Sequence, residues 1–336
     1  MLYLICFLAS VLIFLWSAAI NENMKINQIL LIIITVIGNG GYYILASSTC
    51  LETAILANKL TYLIGIFAPM LIFFNICEIC KIKIKHFLEV ALYTVQMLLY
   101  MSVLTIGSSD LFYKTVEFHV GSYGGYLTKT YGPLHSIYLV MFILYFGMCL
   151  WVSVYSMKNK NKVSYKNVDL IIFTSILIIG TYFIERVLHL KFEFVPITFT
   201  IGLFAILISV TKTKQYDVEE NSDIIASKME GTAYIVFSKK LVYMGCNEYA
   251  GHLFPELLEW KLEKKIPGNG GRFNTFLRQT FMKFVESNQE HPMRGTPFSI
   301  KDRTFYYTVK HLYNRKRKMG YVIELTDVTD VVKYDS

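Results

Sequence analysis

The chain has 336 residues, of which 54% are hydrophobic, 15% aromatic and only 17% charged, a balance that excludes an ordinary water-soluble globular protein. A formal charge of +8 raises nucleic acid as a partner. The basic residues instead gather between apolar runs, at Lys81, Lys83 and Lys85, at Lys158, Lys160, Lys162 and Lys166, and at Lys212 and Lys214. A positive-inside bias accounts for them, and no nucleic-acid partner is expected.

A hydrocarbon core of roughly 30 Å is crossed by about 20 apolar residues in a helix. Windows of that kind occur at Leu2 to Ile20, Gln28 to Ser48, Ile55 to Cys80, Phe87 to Gly107, Leu134 to Met157, Val168 to Arg186 and Phe194 to Thr211. The first lacks a basic leader and a small-residue cleavage site, so it reads as a retained span. Seven crossings place the termini on opposite sides. With the N-terminus outside, all three Lys clusters fall on the cytoplasmic side, as the positive-inside bias requires. The predicted layout is a seven-helix sensor domain over 1–211, a linker over 212–227, a small domain over 228–332 and a tail over 333–336.

The longest connection, 108–133, would lie outside. Its alternating aromatic and β-branched residues, split by Gly121, Gly124 and Gly125, predict a β-hairpin over the bundle, either a lid that gates a site or a stabilising cap. Polar groups inside spans are functional hypotheses because hydrocarbon offers them no partner. Near the predicted outer side these are Asn39, Tyr42 and Tyr43 on the second span, Asn58 and Tyr62 on the third, and Tyr182, Glu185 and Arg186 on the sixth. Two readings stand: interhelical hydrogen bonds with a Glu/Arg anchor at a helix end, or a small-molecule pocket between helices. Gly38-Asn39-Gly40-Gly41 has no strand before it, so close helix approach explains it better than phosphate binding. Pro69 and Pro196 are candidate hinges. Cys77 and Cys80 lack a second ligand pair. His119, His135 and His189 lack regular ligand spacing, so no metal is expected. Glu78 is placed at the interface or paired with Lys81.

Tyr62-x-x-Gly65-x-x-x-Pro69, the Lys-rich loop after it and the long aromatic connection before the fifth span together resemble the seven-helix N-terminal sensor region of bacterial membrane histidine kinases and diguanylate cyclases. The resemblance covers residues 1 to about 210 and implies signal transduction.

Beyond Lys214 a charged linker, Gln215 to Ser227, lacks the heptads of a firm coiled coil. Strands are predicted at Gly231 to Ser238 and Leu241 to Cys246, then a helix from Asn247 to about Leu258. Phe273, Phe276, Leu277, Phe281, Phe284 and Val285 recur at helical spacing between Arg272 and Ser287, as a core stripe. Strands follow at Pro297 to Lys301, Thr304 to Tyr313 and Met319 to Thr326, with the basic run Arg315 to Lys318 in a hairpin turn. Two strands, helices and three strands, opened at Asn247 and closed by Asp327-Val328-Thr329, resemble a PAS domain. In that family the closing Asp-x-Thr passes sheet strain onward, which marks Asp327 and Thr329 for signal transfer. Asn247, as the other landmark, is a signal-transfer candidate with them; the alternative is that Asp327 and Thr329 cap the sheet and any following helix. No haem or flavin pattern is present, so no cofactor is expected.

The fold class is thus a membrane all-α seven-helix bundle plus a cytoplasmic α+β domain with an antiparallel sheet. Kinase and cyclase motifs are absent up to Ser336, and Gly268-Asn269-Gly270-Gly271 lacks the setting of a phosphate loop. The expected role is a non-enzymatic receptor, working as a homodimer in the lipid bilayer, with an unknown small-molecule ligand. Its output enzyme would be fused or separate. A small-molecule transporter with a regulatory tail is the competing class, though no internal repeat supports it.

Overall fold

Helices that carry twenty or so apolar residues without interruption have no polar face to offer water, and seven of them dominate this computed structural model. It describes residues 1–20, 24–121, 124–159, 163–188, 192–218, 221, 224, 231–268, 271–300, 302–314 and 317–329. Lys160, Lys162, His189, Asn269, Gly270, Arg315, Lys316, part of the predicted linker and the tail lie outside them. The chain divides into two compact units, Met1–Lys158 with Lys166–Val210, and Asn159–Tyr165 with Thr211–Ser336.

In the first unit the helices are α1 Leu2–Ile20, α2 Ile26–Ser47, α3 Leu51–Ile79, α4 His86–Leu104, α5 Pro133–Asn159, α6 Tyr165–Val187 and α7 Val195–Tyr216. All seven are long and apolar enough to cross a membrane. α3 is the central one, with 83% of its apolar window buried against 17% for α1. Side chains such as Leu98, Trp151 and Phe173 point outward, as lipid contact demands. Two helices outrun their hydropathy. α3 starts at Leu51, where Glu52 favours the helix N-terminus, and α7 continues to Tyr216 with Lys214 in its last turn.

α2 and α3 meet where glycine removes the spacer. A Cβ on Gly41 would stand 2.9 Å from the Ala57 carbonyl, and one on Gly38 would strike the Ile64 side chain. The glycine run therefore serves helix approach. Between α4 and α5 a two-stranded antiparallel hairpin forms, β1 Tyr113–Gly121 with β2 Gly124–Tyr131. Gly124 has φ +111° and lies against the Ala46 carbonyl, so the hairpin packs directly on the end of α2.

The second unit is an antiparallel sheet with helices. β3 Thr232–Ser238, β4 Tyr243–Cys246, β5 Met293–Arg294, β6 Phe298–Ile300, β7 Arg303–Asn314 and β8 Arg317–Asp327 are ordered β4-β3-β8-β7-β5, with β6 also on β7. The helix Arg272–Glu286 lays Phe273, Leu277, Phe281 and Phe284 on one sheet face, against Ile235, Phe305, Val309 and Ile323. In β7, buried Phe305 and Val309 alternate with half-exposed Tyr306, as predicted. The single helix expected from Asn247 is two, Glu248–Leu253 and Glu256–Glu259. Pro255 lacks an N–H and keeps Phe254 out of helical geometry. β5 pairs across only two residues with β7, too short to carry a pattern of its own.

Candidate functional site

At the hairpin end of the bundle, α2, α3, α5, α6 and the hairpin enclose a cavity of about 770 Å³, with Tyr3 of α1 and Val195 of α7 also at its wall. Its size lies in the range of small-molecule sites, roughly 300 to 1,000 Å³. The hairpin is bound in place by aromatic side chains. Tyr62 and Tyr113 share a hydroxyl hydrogen bond of 2.6 Å, and Asn58 Nδ2 donates to the Tyr113 hydroxyl at 3.4 Å. Phe112 packs edge-on to Tyr62 and His135.

Gly65 and Pro69 act together on this wall. Proline cannot donate to the carbonyl four residues back, so Gly65 loses its usual helical partner there. Gly65 lines the cavity, and the Tyr138 hydroxyl lies 3.0 Å from where its Cβ would stand. α3 nonetheless runs unbroken through Pro69. Pro196 is the second residue of α7, where a missing N–H costs nothing, so that proline starts a helix instead of interrupting one.

Four charged side chains reach the cavity. Lys129 Nζ donates to Asn58 Oδ1 at 3.2 Å, lies 3.9 Å from Glu193 Oε1 and sits over the Tyr113 ring. Burial opposes its charge, but Tyr113, Glu193 and Tyr131 outweigh burial and hold the ammonium above its usual range. Glu185 accepts the backbone N–H groups of Phe194 and, at 3.0 Å, Val195, so it caps the start of α7. Arg186 lies over the rings of Tyr131 and Tyr182, at 4.7 and 5.0 Å. Its Nη2 is 3.5 Å from Nε2 of His135, whose ring stacks on Tyr131.

Of the residues predicted from sequence, Tyr42, Asn58, Tyr62, Tyr182, Glu185 and Arg186 all line this one cavity. Asn39 and Tyr43 do not. Asn39 is buried deeper, donating to Thr200 Oγ1 at 2.8 Å and to the Cys6 carbonyl, so it ties α2 to α7 and α1. Tyr43 is 38% exposed on the outward face of α2, because a neighbour of Tyr42 on a helix is turned by about 100°. Tyr3, Lys129, Tyr131 and Glu193 complete the wall and are not marked by hydropathy. The period-two run Leu127, Lys129, Tyr131 carries the available signal, since those positions share one hairpin face.

Elsewhere, Glu78 takes Lys25 at 3.1 Å and Gln28 Nε2 from α2. Cys77 and Cys80 are buried and form no disulfide with each other. His119 bonds Thr128 on the hairpin, apart from His135. Among the described residues no cluster of three or more His, Cys, Asp and Glu has metal-site geometry.

In the second unit Asn247 caps the helix Glu248–Leu253. Its Oδ1 accepts from Ala250 N and Tyr234 N, both at 3.0 Å, and Nδ2 donates to the Thr232 carbonyl at 2.9 Å. Asp327 Oδ1 accepts from the Thr329 N–H and hydroxyl, Asp327 Oδ2 takes Arg303 at 3.1 Å, and Thr329 Oγ1 accepts from Thr304 N. The closing pair is thereby tied to the start of β7.

No curated protein matches the chain. Residues 1–219 match the family described as the N-terminal 7TM region of histidine kinase. With seven spanning helices in the matched segment, the chain belongs to that family and is a multi-pass membrane protein carrying its sensor region.

Proposed function

We propose that this chain is a receptor of a bacterial cytoplasmic membrane, with its N-terminus and hairpin outside and its C-terminal unit in the cytosol. A small-molecule stimulus, arriving from outside or through the lipid, would enter the cavity beneath the hairpin. The carrying observation is that cavity, walled by five elements and lined by six of the eight sequence-predicted pocket residues. The Lys clusters at 81–85 and 212–214 support the orientation.

Binding acts by preferring one of two bundle arrangements. Its consequence passes along α7 and the linker to the second unit, read as PAS-like from its strand, helix and strand order and its Asp327/Thr329 closure. The relay would end on a histidine kinase or diguanylate cyclase output, fused or separate, with a homodimer as the working form. The test is a reporter of the native pathway in cells given graded amounts of spent culture medium. Arg186→Ala is expected to shift the dose response to higher concentration while membrane insertion persists. An unchanged dose response removes the cavity as the sensing site.

A further inference from the structure

Resting on the reading of the cavity as a ligand site, we infer that its ligand is an amphipathic monoanion, a carboxylate on an apolar or aromatic body, with Arg186 as the anion-binding residue. The cavity holds two cations and two carboxylates, and only Lys129 and Glu193 among them form an ion pair within 4 Å. Glu185 is occupied by the N–H groups that open α7, and Glu193 pairs with Lys129, which Asn58 also holds. Neither Glu185 nor Arg186 has an opposite charge within 4 Å among the described residues, but Glu185 has the N–H groups of α7 in its place. The contacts of Arg186 are two aromatic faces and one imidazole nitrogen. A guanidinium carries five N–H donors, and removal from water is costly without an acceptor. Ring faces attract the charge but do not replace a paired oxygen.

A second observation points to the same spot. The Tyr182 hydroxyl is buried, makes no hydrogen bond of ordinary geometry among the described residues, and belongs to a ring under Arg186. One turn of α6 therefore presents a planar cationic fork and, beside it, a buried hydroxyl to the cavity. A carboxylate matches that fork with two parallel bonds. One cation without an ion-pair partner suits one negative charge; a phosphate dianion would bring a second negative charge that no unpaired cation there meets. Phe142, Phe199, Tyr42 and Tyr138 on the remaining wall are aromatic and fit a hydrocarbon body.

The test uses the full chain in lipid nanodiscs and two matched pairs of probes, phenylacetate with phenylacetamide and decanoate with decanamide, read by ligand-induced thermal shift over a concentration series. At least one acid is expected to bind about tenfold or more tightly than its own amide, the scale of a charge-assisted bond. Arg186→Gln is expected to erase that preference. Preference for the phenyl acid marks a water-borne ligand, and preference for the decyl acid one delivered through lipid. An amide that binds as well as its acid, a preference that survives Arg186→Gln, or no binding by any probe overturns the monoanion assignment. Gly65→Phe fills the cavity and is expected to abolish binding, with Thr61→Phe as the second filler if the first fails to fold. Acid binding that persists in a folded filled variant overturns the cavity reading itself.

Discussion

Tyr62 of α3 and Tyr113 of the hairpin, 51 positions apart, meet hydroxyl to hydroxyl at 2.6 Å in a buried site. The bond is the polar fastening between the central helix and the strand that covers the cavity. Tyr113 also accepts from Asn58, so Tyr113→Phe removes two partners where Tyr62→Phe removes one. Each lost bond costs about 1 kcal/mol. Tyr113→Phe should therefore raise amide exchange in residues 113–121 more than Tyr62→Phe does. Equal protection in both variants and the parent would remove the fastening role.

Glycine on the α2 face is a packing requirement at one position and dispensable on another helix. At Gly41 an added methyl meets the α3 backbone, whereas at Gly147 nothing lies within 4 Å. Gly41→Ala is expected to destabilise by about 1 to 3 kcal/mol, and Gly147→Ala to be neutral or slightly stabilising through helix propensity. Thermal unfolding in one detergent, compared between the two, checks the contrast. A tolerated Gly41→Ala would contradict the close helix approach.

Asn247 satisfies two backbone donors and one backbone acceptor, linking β3 to the helix it caps. Alanine leaves all three without that partner, and a loss of about 2 to 4 kcal/mol is expected. The amide of Tyr234 reports it directly through hydrogen exchange in the full chain. Unchanged protection of that amide would show the cap to be unimportant.

The Asp327 carboxyl is held below its ordinary range. Burial pushes it upward, but the Thr329 hydroxyl and N–H and the Arg303 guanidinium outweigh burial. A lowered native value means that the ionised form favours the folded state. The stabilisation is complete above the unfolded value, about pH 4, and is lost as pH falls through the lower native value. Protection of the Thr329 amide, corrected for intrinsic exchange, should fall in that acid window. In Asp327→Asn it should be lower at neutral pH and lack that step. An identical pH profile in the variant would rule out Asp327 as its source.

Helix existence was legible because a bilayer demands a length of apolar chain that few other structures need, and α1 begins and ends at Leu2 and Ile20 as hydropathy sets it. The cavity was half legible. Buried polar side chains stand out against apolar neighbours, which marks Tyr62 and Arg186. Their rotation does not stand out, so Tyr43 is indistinguishable from Tyr42 until α3 fixes which side of α2 is inward. Lys129 was hidden for another reason: in a polar connection a lysine is unremarkable, and only the hairpin register turns it toward Asn58. The break at Pro255 was legible in principle, since the residue itself forbids the helix continuing.

The linker's burial tests how the second unit is closed. Its sheet has a second apolar face, made by Tyr234 and Val236 of β3, Leu312 of β7 and Val322 of β8, and Val218 and Ile224 cover it. Tyr216 adds a bond from its hydroxyl to the Met319 carbonyl at 3.2 Å, and Asn221 Nδ2 donates to the Gln215 carbonyl at 2.7 Å. β3 is thus buried on both faces, which is why its sequence is a continuous apolar run instead of an alternating one. Ile224 is 1% exposed, so Ile224→Ala should cost about 2 to 4 kcal/mol through lost contact and cavity formation. Met282 on the outer side of the helix Arg272–Glu286 is 55% exposed, and Met282→Ala should stay within about 0.5 kcal/mol of the parent. Exchange protection of the Val236 and Val322 amides separates the two variants. Should Ile224→Ala behave like Met282→Ala, the linker does not close the sheet.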